Sequence, residues 1–168
     1  MGNDEATASA AWDDWFSAYG NRLLLFARQQ AGEEAEDVLQ EALCQLCRVC
    51  GGQPPDLALA YHRIRLSAID FARSRHRRAA RETEMFRLHL PSSRWFERED
   101  KAGRDAEALE LAVRELPPEQ QEVVTLKIWG DLTFQEIAEA LDLSINTAAS
   151  RYRYAMDKLK EKLTRGTL

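Results

Sequence analysis

No stretch of the chain keeps its apolar residues together for anything near the roughly 18 positions that a membrane-crossing helix needs, so a membrane-spanning protein is not expected. The first residues include Asp4 and Glu5 and lack the basic run that opens a secretory signal, which makes a cytoplasmic setting the expectation. Alternating β-branched runs are missing too, and with them the usual signature of a sheet. Glycine and proline are sparse, 8 and 5 in 168 residues, and they concentrate at Gly51-Gly52-Gln53-Pro54-Pro55 and Pro117-Pro118. The fold class expected is therefore all-α, with room for one large domain or two small ones. The three histidines, His62, His76 and His89, lie within or just beyond an arginine-rich segment, and no serine or cysteine pattern of a nucleophile motif accompanies them. Neither an enzyme nor a cofactor is expected.

Cysteine is scarce but patterned: Cys44, Cys47 and Cys50 form C-x-x-C-x-x-C. On a helix these positions fan over roughly 120°, with Cys50 toward the core, Cys47 at its border and Cys44 outside. Zinc needs four converging ligands, and no histidine nearby in sequence supplies the missing one, although folding can bring His62 close. The thiols are read as small packing groups kept reduced in the cytoplasm, and no metal site is assigned.

What the chain does have is charge in blocks. The formal net charge is -5, yet residues 63 to 81 hold seven arginines (63, 65, 73, 75, 77, 78 and 81) against one acid, Asp70. Such a local excess is the electrostatic footprint of a nucleic-acid surface. Residues 97 to 122 are the converse, with nine acids against four bases. An acidic segment thus separates two candidate DNA-binding modules.

The later module carries the sharpest local signal. Thr133 followed by Glu136 is a capping box, and Phe134, Ile137, Ala138 and Leu141 then fall on one helical face. Asp142-Leu143 makes a tight connection, with Asp tolerating a left-handed backbone, and Ser144 caps a second helix whose core stripe is Ala148, Tyr152, Ala155 and Leu159. Upstream, Leu116-Pro117-Pro118-Glu119 starts another helix that continues toward Trp129-Gly130. Two helices joined this closely form a helix-turn-helix, the second able to enter a DNA major groove.

In the earlier module, Trp12, Trp15, Phe16 and Tyr19 recur at helical spacing and are assigned to core packing, with a break at Gly32. A second helix, about Glu34 to Cys50, puts Ala35, Leu39, Ala42, Leu43, Leu46 and Cys50 inward and Asp37, Gln40, Glu41, Cys44 and Arg48 outward. A third, about Leu57 to Arg81, is expected to bury Leu57, Tyr61, Ile64, Ala68 and Phe71. Its outward stripe is Leu59, Arg63, Leu66, Asp70, Arg73 and Arg77, spaced 4, 3, 4, 3 and 4 residues apart.

Leu116 to Val124, with Glu136-Ile137-Ala138, Ser150-Arg151 and Lys158-Leu159, resembles region four of bacterial RNA polymerase sigma factors. Ala35-Glu36-Asp37-Val38-Leu39-Gln40-Glu41-Ala42 resembles their region two, and together the segments are similar to the extracytoplasmic-function type over about residues 15 to 81 and 109 to 163. The resemblance implies a transcription initiation factor with core RNA polymerase and promoter DNA as partners, and an anti-sigma protein as a further one. It implies a region-two domain at 10–84, a linker at 85–108 and a region-four domain at 109–168. Asp37, Gln40 and Glu41 are then the polymerase contacts. Leu59, Arg63, Leu66, Asp70, Arg73 and Arg77 face the downstream (minus ten) element, where arginines can neutralise phosphates and stack on bases. Thr133, Asn146, Thr147, Ser150, Arg151 and Arg153 serve the upstream (minus thirty-five) element. The acidic stretch from about Met85 to Leu111 would lie in the polymerase's RNA path, with Trp95-Phe96 pinning it to one domain.

Leu59, Leu66 and Ala149 depart from the family pattern, which often has an aromatic, an asparagine and a lysine there. Leucine can wedge between base steps but cannot hydrogen-bond a base edge. Two other readings accordingly stand beside the first: a sigma-like mimic that binds an anti-sigma protein without melting promoters, and a dimeric helix-turn-helix repressor that binds palindromic DNA alone.

Overall fold

The computed structural model describes residues 2–79 and 104–165. The expected linker 85–108 lies mostly outside them, as do Trp95, Phe96, Arg81 and His89. Among the described residues every regular element is a helix: α1 (Gly2–Ala31), a short 3-10 turn (Gly32–Glu34), α2 (Ala35–Cys50), α3 (Leu57–Ala79), α4 (Arg104–Arg114), α5 (Pro118–Ile128), α6 (Phe134–Leu141) and α7 (Ile145–Arg165). The all-α class is as the sequence implies. The chain divides into two compact units, Met1–Ser93 and Arg94–Leu168.

In the first unit α1, α2 and α3 all pack on one another. Gly32 supplies the positive φ, 61°, that ends α1. Asp56 starts α3, its carboxylate accepting the Leu59 N–H at 2.8 Å. Leu23, Phe26, Val38, Leu46, Tyr61 and Ile64 are essentially sealed from solvent. The five apolar ones, all but Tyr61, each contribute about 1.5–3 kcal/mol by leaving water. The Tyr61 ring meets Phe26 edge-on at 5.3 Å, and burial pushes its phenol up to about 12 against the opposing pull of Arg22.

Packing expectations fail here at several positions. Phe16 is 45% exposed, and Trp12, Trp15 and Tyr19 are only half-buried, an edge-to-face ladder with successive centroids 5.8 Å apart. The Phe16 side chain lies at an open seam beside Leu39 and Leu43 of α2, which leave part of its ring in solvent. Phe71 is likewise 38% exposed and Leu57 only half-buried, so the sealed face of α3 runs from Ala58 to Ala68. On α2 the sealed stripe includes Val38, while Leu43 and Cys50 are half-buried.

The second unit wraps α4, α5 and α6 against α7. Gln121 joins α4 to α5 by donating to the carbonyls of Arg114 and Leu116, each at 2.7 Å. At the end of α5 the backbone closes on itself at Gly130, where a Cβ would stand 2.5 Å from the Leu126 carbonyl oxygen. Val113, Val123, Val124, Leu126, Leu132, Ile137, Ala148 and Ala155 form the core between these helices.

Candidate functional site

Caps at both ends of α6 and at the start of α7 fix this pair of helices. Thr133 closes its capping box: the Glu136 N–H donates to Thr133 Oγ1 at 3.2 Å, and the Thr133 N–H and hydroxyl both donate to Glu136 Oε2 at 2.7 Å. Those two donations hold the Glu136 carboxyl below its ordinary value. At the other end of α6, Asp142 adopts φ 55° and the Leu143 and Asp142 N–H groups bond the carbonyls of Ala138 and Glu139. That is a Schellman closure made with aspartate in the place glycine usually takes. Ser144 then caps α7, accepting the Thr147 N–H at 3.0 Å and bonding the Thr147 hydroxyl at 2.8 Å. The Phe134 ring meets Tyr152 edge-on at 5.6 Å, locking the two helices together.

The first turns of α7 carry the expected upstream-element residues. Asn146 and Arg153 are exposed, and Thr147, Ser150 and Arg151 half-exposed, on neighbouring faces of one helix. Arg153 lies over the Tyr154 ring at 5.2 Å, a planar cation-aromatic pair suited to phosphates or bases. Thr133 and Thr147 are tied into the caps through their hydroxyls, and the Ser150 hydroxyl donates to the Asn146 carbonyl at 2.7 Å. The Thr133 cap is as the sequence implies, whereas the engagement of the Thr147 and Ser150 hydroxyls has no comparable signal there. Further along, Lys162 pairs with Glu115 instead of standing alone at the helix end.

In the first unit Asp37, Gln40 and Glu41 are all exposed on one side of α2. The expected α3 stripe is less uniform. Asp70, Arg73 and Arg77 are exposed, with Arg73 and Asp70 3.8 Å apart, but Leu59, Arg63 and Leu66 are half-buried. Arg63 turns toward α2, where it donates to Gln45 Oε1 at 3.4 Å, and Gln45 in turn donates to Glu41 Oε1 at 2.7 Å. A polar chain therefore joins the candidate polymerase face to the candidate promoter helix. Gln45 was not among the residues singled out from sequence, although its position four after Glu41 is the available signal. Arg75 also binds within the fold, to Glu34 ahead of α2. The second feature missed is an open apolar groove of about 630 Å³ between α1 and α2, walled by Phe16, Leu24, Leu39 and Leu43 and reaching Gln40, Cys44, Cys47 and Arg48. No group of three or more His, Cys, Asp or Glu side chains converges as a metal site among the described residues. No described helix is long and apolar enough to cross a membrane.

Residues 106–159 match the family model described as Sigma-70, region 4. Over 132 residues the chain is 32% identical to an RNA polymerase sigma-E factor of Streptomyces antibioticus, an alignment spanning 77% of this chain and 71% of that protein. Its fold is shared with the sigma factor RpoE of Bartonella quintana, solved in complex with the anti-sigma factor NepR. That likeness has a TM-score of 0.72 at 20% identity and covers 91% of this chain and 96% of the other.

Proposed function

Because the chain belongs to the bacterial RNA polymerase sigma factors of the extracytoplasmic-function type, we propose that its two helical units divide promoter recognition between them. A member of this family is a transcription initiation factor: it binds core RNA polymerase and directs it to promoters. In our reading, residues 10–84 form the region-two domain, 85–108 the linker and 109–168 the region-four domain. Asp37, Gln40 and Glu41 contact polymerase. Arg63, Asp70, Arg73 and Arg77, with Leu59 and Leu66, serve the downstream element and strand opening. Asn146, Thr147, Ser150, Arg151 and Arg153, with Thr133 at the foot of α6, grip the upstream element. The observation carrying this assignment is the doubly capped α6–α7 corner, which lies inside the matched stretch and presents one polar helix face. The protein works in the cytoplasm by binding energy, leaving phosphoryl transfer to the polymerase.

A regulatory partner is part of the same reading. The Bartonella quintana protein was solved with its anti-sigma factor, and here the half-buried Leu59 and Leu66 interrupt an arginine-bearing face, giving an anti-sigma protein apolar footholds. Run-off transcription with core polymerase and promoter fragments selected from genomic DNA tests the whole assignment. Defined start sites are expected. Arg151→Glu should weaken upstream-element binding and Asp37→Ala should weaken polymerase binding. Polymerase binding without any start site would replace the assignment by a sigma mimic, and unchanged affinities in both variants would overturn the residue roles.

A further inference from the structure

The C-x-x-C-x-x-C motif is not among the residues assigned to promoter or polymerase contact, yet α2 sets two of its thiols in a distinctive place. Cys44 and Cys47 are exposed, three residues apart, and both line the apolar groove between α1 and α2. Cys50 is half-buried at the helix end and lies outside the groove lining. Gln40, one of the residues assigned to polymerase contact, lines the same groove, together with Arg48 and Glu36. An apolar wall, a thiol pair, a cation and a carboxylate together suit a small zwitterionic molecule that carries a sulfur.

We propose that Cys44 is a site of reversible S-thiolation by low-molecular-weight disulfides, and that the adduct competes with core polymerase for this face. The competition rests on the reading that Asp37, Gln40 and Glu41 dock polymerase. The Cys44 thiol gives its proton to solvent, and the thiolate attacks one sulfur of the small disulfide. That S–S bond breaks, a Cys44–sulfur bond forms, and the second half leaves as a thiolate. The cysteine sulfur is oxidised and the departing sulfur reduced, so no other oxidant is required.

Two features favour Cys44 and an adduct that persists. Burial and its two thiol neighbours raise the Cys47 thiol above its ordinary value, leaving it less thiolate with which to react. Positions three apart on an intact helix keep their Cβ atoms about 5–6 Å apart, beyond the roughly 3.5–4.5 Å of a disulfide, so Cys47 cannot displace the adduct without unwinding α2. The acidic groups of a bound peptide thiol would face Arg48, while its bulk lies over Leu43 and Gln40.

Oxidised glutathione is the probe for the full-length protein. Intact mass and peptide mapping should find one adduct, on Cys44, that is absent from Cys44→Ser and retained in Cys47→Ser and Cys50→Ser. The adduct should lower core-polymerase affinity by roughly tenfold or more, and dithiothreitol should restore it. Cys44→Ser should bind core normally and be insensitive to the probe. Labelling spread evenly over the three cysteines, or centred on Cys50, overturns the site. A Cys44 adduct with unchanged core affinity overturns the competition, and Asp37→Ala measured alongside separates the causes. If Asp37→Ala still weakens binding, only the competition fails; if it too has no effect, the docking assignment fails with it.

Discussion

Between α6 and α7 the chain changes direction through Asp142, Leu143 and Ser144, where backbone hydrogen bonds close α6 and the Ser144 side chain caps α7. Between α1 and α2 it passes through Gly32 and a 3-10 turn, and neither Ala31 nor Glu34 makes a side-chain cap. The first corner is specified within about a dozen residues. The second depends on what α3 brings from farther along the chain, above all the contact of Tyr61 with Phe26. A DNA-reading helix needs a fixed angle to its neighbour, and local caps supply one at little cost in core size. A three-helix platform needs length and buried area, which only packing provides.

Removing packing should hurt the first unit most. Phe26→Ala is expected to cost about 3–5 kcal/mol, read as lost hydrogen-exchange protection in α1–α3 with α4–α7 unaffected. Equal loss in both units would end the contrast. Gly130→Ala forces a Cβ against the Leu126 carbonyl and should cost about 1–3 kcal/mol, confined to α4–α7 in the same measurement.

Thr133→Ala removes a cap and should cost about 1 kcal/mol in urea unfolding near neutral pH. The depressed Glu136 carboxyl adds a sign to check. Its stabilisation is present above the unfolded carboxyl value near 4.3 and is lost as pH falls through the lower folded value. The step of stability over that acid range should therefore shrink in Thr133→Ala; an unchanged step would assign it to other carboxylates. The smallest effect is expected from Asp142→Gly, which relieves a left-handed aspartate and should raise the thermal midpoint by the equivalent of about 0.5 kcal/mol.

The same contrast explains what was legible in the sequence. Thr133, Asp142 and Ser144 announce themselves because capping chemistry is local, and so the second unit was readable almost residue by residue. In the first unit the helices were evident from their periodicity, but Phe16 and Phe71 were assigned to a core that does not reach them. A period tells which face is apolar; it does not tell how closely a neighbour packs against it. Gln45 and the thiol-bearing groove stayed hidden for the related reason that both depend on one helix lying against another.

Gln45 also bears on how this surface can change over generations. Because it bonds Glu41 on one side and Arg63 on the other, the three positions do not vary as independent letters. A lineage that alters Glu41 leaves Gln45 free to turn and Arg63 short of its acceptor, so the next tolerated substitutions depend on which came first. Epistasis of that kind would tie the history of the α2 surface to that of α3.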